Sequence, residues 1–205
     1  MAGIFTRGGR FWPWMAAVWL AGCVSGGEPQ RDHYYRLRVA APAEVQKLPW
    51  LNGAVLVESF QTAGAFRGRE IAYASAGEGL RLDHAIYHFW VDSPTEMMRD
   101  QWAEFLRRSG AAREVLTPGM RLEGDFVASG KIFRLEKMAS DSGANRVVVE
   151  MELHLMRVKE KKLLLKRHYA VEREVSGEGV TAAVAAMNGA VGEIFQQFLA
   201  EIPPE

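Results

Sequence analysis

Cysteine is almost absent from this chain: Cys23 is the only one in 205 residues, which excludes an internal disulfide and any thiolate cluster for a metal. An excess of either charge is absent too, with 25 Lys plus Arg against 25 Asp plus Glu, so no electrostatic case exists for nucleic acid or for a basic membrane-surface patch. No glycine-rich loop runs into Lys followed by Ser or Thr, which removes the phosphate cradle of an ATPase. No Gly-x-Ser-x-Gly elbow appears either, so a hydrolase would need a constellation that one sequence does not display. The five histidines, His33, His84, His88, His154 and His168, have no metal-ligand spacing. His84 and His88 fall on one face of a strand, about 13 Å apart at the usual rise, too far for one ion. Long apolar runs are also missing. The longest, Phe11 to Val24, is 14 residues with Pro13 inside it, short of the ~20 residues that a bilayer-crossing helix needs.

What that run does have is context. Arg7 and Arg10 precede it, no acid does, and small residues follow, which is the three-part layout of a secretory signal. The order Leu20-Ala21-Gly22-Cys23 at its end resembles the lipobox of bacterial lipoproteins. That resemblance implies cleavage between Gly22 and Cys23 and a diacylglyceryl thioether on the Cys23 sulfur. Three parts are then expected: a signal at 1–22, a lipidated cysteine with a Gly, Ser and Pro-rich tether at 23–32, and one domain at 33–205. The mature form would be 183 residues with 23 cations and 25 acids.

Within the domain, Tyr34 to Val39 reads as a first strand, Asn52-Gly53 as a turn, and Ala54 to Phe60 as a buried strand. Ile71 to Ser75 and Leu80 to Trp90 read as a hairpin about Ala76 to Gly79. A helix follows with complete punctuation: Ser93 as N-cap, Pro94 at the first turn, Glu96 as capping partner and Gly110 as C-cap. Met98, Trp102, Phe105, Leu106 and Ser109 form its inner stripe. Three alternating segments come next. In Arg146 to Val158, Val147, Val149, Met151, Leu153 and Leu155 share one face; in Leu163 to Val175, Leu163, Leu165, Tyr169 and Val171 do. In Leu122 to Lys137 the apolar parity changes between Phe126 and Phe133, which predicts a bulge near Ser129-Gly130. An Ala- and Gly-rich helix from about Val180 to Ile202, stopped by Pro203-Pro204, completes the chain. The order argues for an α/β two-layer sandwich, a mainly antiparallel sheet with both helices on one face.

A family resemblance is carried by Phe66, Arg69-Glu70-Ile71, Tyr73, Tyr87-His88-Phe89-Trp90, Pro94, Glu96-Met97-Met98, Leu106 to Gly110 and Gly124-Asp125-Phe126. On these residues the chain resembles the ABC-type transport auxiliary lipoproteins, including their paraquat-inducible lipoprotein C branch. Members commonly have Arg before the tryptophan, where Phe89 stands here. The resemblance implies a non-enzymatic accessory domain without cofactor or metal, anchored through Cys23 to the periplasmic face of the outer membrane. Val24 rather than Asp after the cysteine fits outer-membrane sorting. Its implied partner is the mammalian-cell-entry-type substrate-binding protein of an ABC system that moves lipids or other apolar molecules. A homo-oligomer stays open, and the other reading is a structural or assembly lipoprotein. Tyr73, Tyr87, Phe89 and Trp90 are the residues expected to grip a partner or an apolar ligand, or else to close the core against Trp102 and Phe105.

Overall fold

The structure is a computed structural model that describes residues 3, 30–45, 49–75, 81–139 and 145–203. Gly22, Cys23 and the hairpin tip at 76–79 lie outside the described residues. The chain divides into two units, Met1–Arg31 and Asp32–Glu205, and every element that follows belongs to the second. Its strands are β1 (His33–Tyr35), β2 (Leu51–Val57), β3 (Gln61–Thr62), β4 (Glu70–Ala74), β5 (Leu82–Trp90), β6 (Ala112–Leu116), β7 (Phe126–Met138), β8 (Arg146–Arg157) and β9 (Lys162–Glu174). Its helices are α1 (Pro94–Ser109) and α2 (Gly179–Glu201).

Strand β7 organises the sheet. Along one edge it pairs antiparallel with β8 for its whole length, and β8 pairs antiparallel with β9. Along the other it receives β2, β3 and β4 one after another, all parallel. The segment from β2 to β4 is thus one interrupted strand beside β7, with an excursion at 63–69 that carries a 3-10 turn, Gly64–Phe66. The α/β class holds and the sheet is mixed: the longest ladders are antiparallel, and shorter parallel ones attach β1 to β5 and β6 to β2.

Local chemistry explains the departures from the sequence reading. The first strand ends at Tyr35, because beyond it the backbone is held by side-chain amides rather than by a neighbouring strand. Asn188 Oδ1 accepts from the Arg38 amide at 2.9 Å, Gln101 Oε1 from Val39 at 2.8 Å, and Gln196 Oε1 from Ala43 at 3.2 Å. Asn52-Gly53 is a bulge inside β2, not a turn. Asp125 Oδ2 accepts from the Ala54 amide at 2.9 Å, and a Cβ on Gly53 would collide with the Asp125 carboxylate. The β7 bulge exists but at Phe133, between the pairs Ile132 with Met151 and Arg134 with Glu150. Gly130 has another duty: a Cβ there would lie 2.5 Å from Phe60 Cε1 and 2.7 Å from the Glu152 carbonyl oxygen. Leu122 lies outside β7 and is exposed. A register shift at Leu164 leaves Leu163 exposed while Leu165 and Tyr169 face the core.

The helical layer matches its sequence signals. Ser93 Oγ accepts from the Glu96 amide and donates to its carboxylate, and Gly110 closes α1 at φ 67, a left-handed conformation that glycine adopts without cost. Met98, Trp102, Phe105, Leu106 and Ser109 are all buried. The Trp102 ring centroid is 4.7 Å from Phe195 and 5.7 Å from Phe198, which joins α1 to α2. Tyr169 of β9 meets Phe198 edge-on at 6.4 Å, so sheet and helices share one core. The small residues of α2 admit close neighbours. A Cβ on Gly192 would sit 3.3 Å from Val39 Cγ1, and Gly189 lies under the Arg173 guanidinium. Burial, with help from the hydrogen-bonded Glu201 carboxylate, pushes the Tyr169 phenol well above its ordinary pKa. Among the described residues no helix is long and apolar enough to cross a membrane.

The opposite face of β7, β8 and β9 is polar. His168 meets Glu150 at 3.0 Å, Lys166 meets Glu152 at 3.0 Å, and Ser129 Oγ bonds His154 Nε2 at 2.7 Å. These are cross-strand pairs on a half-exposed surface, each contributing a few tenths of a kcal/mol up to about 1 kcal/mol. His154 and His168 are therefore sheet-surface histidines.

Candidate functional site

The least regular part of the sheet is the edge where β5 lies between β1 and β4. In the β4–β5 ladder Glu70 opposes Phe89, yet Ala72 opposes His84, so the single residue Ile71 faces Ala85 through His88. The surplus chain on β5 must leave the plane of the sheet. It does so with Tyr87 at φ 63. For a bulky L-residue a left-handed backbone costs roughly 1–2 kcal/mol, and surrounding structure must hold it there. The bulge leaves Ile86 75% exposed and Tyr87 37% exposed.

β1 resumes the pairing on the outer side of β5, with His33 beside His88, Tyr34 beside Phe89 and Tyr35 beside Trp90. His33 and His88 stack with ring centroids 5.1 Å apart, and the Tyr35 hydroxyl bonds His88 Nδ1 at 2.8 Å. Burial and then the neighbouring His33 lower the His88 pKa below its ordinary value. On the other face Tyr34 packs on Phe89 at 5.9 Å, with the Arg69 guanidinium 5.5 Å above the Tyr34 ring. Arg69 also takes over where β4 pairing fails. Its Nε donates to the Trp90 carbonyl at 2.9 Å, and its own carbonyl accepts from the Trp90 amide at 2.6 Å.

Two clefts flank this edge. A polar one of about 680 Å³ lies between Tyr34, Phe89, Arg67, Arg69 and the first turn of α1 at Ser93 and Glu96. An apolar one of about 280 Å³ is lined by Ile71, Tyr73, Ala85, Lys137, Val180 and Ala183.

The four aromatic residues singled out from the sequence do not form one cluster. Trp90 is 1% exposed and belongs to the core. Phe89 lines the polar cleft, Tyr73 lines the apolar one opposite Asp83 rather than Tyr87, and Tyr87 faces outward on the bulge. Ile86, Tyr34 and Arg69 complete the edge. Regular alternation had hidden Ile86, because a bulge of this size leaves no mark in the hydrophobic pattern. His84 is separated from His88 by the same bulge and bonds the Ala65 carbonyl instead, at 3.3 Å.

Tyr87→Asn tests whether the bulge stores strain. Asparagine tolerates the left-handed region, so the variant is expected to be more stable by up to about 1 kcal/mol, with Tm higher by roughly 2–4 °C. Urea titration checks this. A loss of more than about 1 kcal/mol would mean that the ring packs more strongly than its exposure implies.

Residues 35–198 match the sequence model of the ABC-type transport auxiliary lipoprotein component. No curated protein matches the chain in sequence. Among solved structures, a Xanthomonas campestris protein superposes with a TM-score of 0.71 at 17% identity, covering 82% of this chain and 92% of that one. A second, uncharacterised protein superposes with a TM-score of 0.65 at 15% identity, covering 84% of this chain and 99% of that one. At such identities the two structures show a shared fold. The sequence match runs from the end of β1 to Phe198 of α2 and takes in the whole of β4 and β5, and by that span the chain belongs to the ABC-type transport auxiliary lipoprotein component family.

Proposed function

We propose that this auxiliary lipoprotein is an adapter whose activity is binding. Anchored through Cys23 at the periplasmic face of the outer membrane, it holds the mammalian-cell-entry-type substrate-binding protein of an ABC system that moves lipids or other apolar molecules. The family match over residues 35–198 carries this reading. Its physical support is the polar cleft of about 680 Å³ that Arg67 and Phe89 form with Ser93 and Glu96 at the first turn of α1, a recess into which a partner's side chain fits. A transport accessory of this kind needs no chemistry of its own, since an ATPase elsewhere in the system drives movement.

The test is direct association. The domain, purified without its lipid, is mixed with the mammalian-cell-entry protein encoded in the same genome, and binding is measured in detergent and on lipid vesicles. Saturable binding is expected. Lipid extraction and mass spectrometry of the same sample show whether the domain itself carries cargo. No association in either medium contradicts the adapter reading.

A further inference from the structure

We infer that the β5 bulge, with Ile86 at its tip and Tyr87 and Tyr34 beside it, is a second membrane contact that seats the domain against the bilayer holding its anchor. The inference rests on the reading that Cys23 carries the lipid. Its first support is where the chain leaves the domain. Nine residues, 24 to 32, separate Cys23 from His33, and His33 is paired with His88, the neighbour of Tyr87. By coil statistics nine residues span about 15–18 Å on average and at most about 30 Å. A domain of residues 33–205 has a radius of gyration of about 16 Å, hence a diameter near 40 Å. The tether is therefore too short for the far side of the domain to reach the bilayer while the β1–β5 edge points away. At its mean span of about 15–18 Å the tether favours the half of the domain surface around His33 for contact with lipid.

The chemistry at that edge fits the interfacial layer. Ile86 is an aliphatic side chain 75% exposed, Tyr34 is 56% exposed and Tyr87 37%. Tyrosine, with an apolar ring and a polar tip, is enriched at membrane–water interfaces. The Arg69 guanidinium stacked over Tyr34 brings a cation to phosphate depth. A protein occupant is disfavoured by size. Stable protein complexes bury about 800 Å² per partner, far more than three side chains supply. A tethered contact faces no such demand. A short flexible linker gives a millimolar effective concentration, so a contact with millimolar affinity is already populated. The strained backbone at Tyr87 fits this role, because it is what lifts Ile86 clear of the sheet.

The experiment uses the full chain, matured and lipidated in cells, then reconstituted into vesicles of phosphatidylethanolamine and phosphatidylglycerol. Because Cys23 is the only native cysteine and its sulfur is blocked by the thioether, Ile86→Cys supplies a unique site for a nitroxide label. Leu163→Cys, 52% exposed beside the β8–β9 turn, is the reference. Both positions are exposed, so folding is not at stake. The collision ratio of oxygen to a water-soluble nickel complex is expected to be severalfold higher at position 86 than at position 163. Equal ratios with a mass showing the acylated cysteine overturn this inference and leave the anchor intact. A label immobilised at 86 and shielded from both reagents also overturns it, in favour of a protein neighbour. A free Cys23 that takes up a second label overturns the anchor reading and this inference with it.

Discussion

Cys23→Ser is expected to abolish acylation entirely and to leave the protein either soluble or as the uncleaved precursor. The chain has no other thiol that could accept the lipid. The size of the effect follows from the partitioning of acyl chains: each buried methylene contributes about 0.8 kcal/mol, so one chain binds reversibly and two or more anchor firmly. The domain cannot compensate. Its described helices are too polar or too short to span a bilayer, and the β1–β5 edge presents only a few apolar side chains. Palmitate labelling with fractionation reads the result. Labelled protein in the membranes of the serine variant would place the anchor elsewhere.

The second large effect lies in the core. Trp102→Ala is expected to cost about 3–5 kcal/mol, the usual range for removing a buried large aromatic, out of the roughly 5–15 kcal/mol typical of a whole domain. The indole is 1% exposed and touches Phe105 on its own helix and Phe195 and Phe198 on α2, so its loss opens a cavity between two helices that both lean on the sheet. For a chain of this size the cost corresponds to a Tm lower by about 6–20 °C. Arg108→Ala on the exposed face of α1 is the control. It removes an i,i+4 pair with Glu104 and should change stability by no more than about 0.5 kcal/mol. Urea unfolding of both variants distinguishes a keystone indole from a layer that can collapse around the gap.

The helices were legible in the sequence because their information is local. Ser93, Pro94, Glu96 and Gly110 act within four residues of their targets, and the stripe from Met98 to Ser109 repeats with the helical period. The inner rows of β8 were legible for the same reason. The sheet's order was not, since β7 gathers β2, β3 and β4 from 60 or more residues away and nothing in a single strand names its partner. Asn52-Gly53 looked like a turn because no sequence pattern shows that Asp125 would clip the backbone there. Tyr34 to Val39 looked like a strand from its Tyr, Leu and Val content, but beyond Tyr35 the partners are the side-chain amides of Asn188 and Gln101. The parity rule recovered a real bulge in β7 and drew attention to the glycine, whose absent side chain makes room for Phe60, while the shift itself occurs at Phe133.

The placement of the candidate residues was legible in part. Tyr87 and Phe89 do lie on the β1–β5 edge, whereas Trp90 points into the core and Tyr73 lines a different cleft. Ile86 and Arg69 were missed as participants for a common reason. One becomes prominent only through the bulge, and the other acts through a hydrogen bond to a residue 21 positions away.

Envelope lipid transport in paired deletions tests the adapter account most directly. Strains lacking this chain, lacking the mammalian-cell-entry protein, or lacking both are compared for lipid movement between the two membranes and for barrier function. An adapter acts only through its partner, so all three strains are expected to show the same defect, with the double deletion no worse than either single one. A barrier defect that persists and adds to the loss of the mammalian-cell-entry protein would contradict it and identify a structural lipoprotein instead.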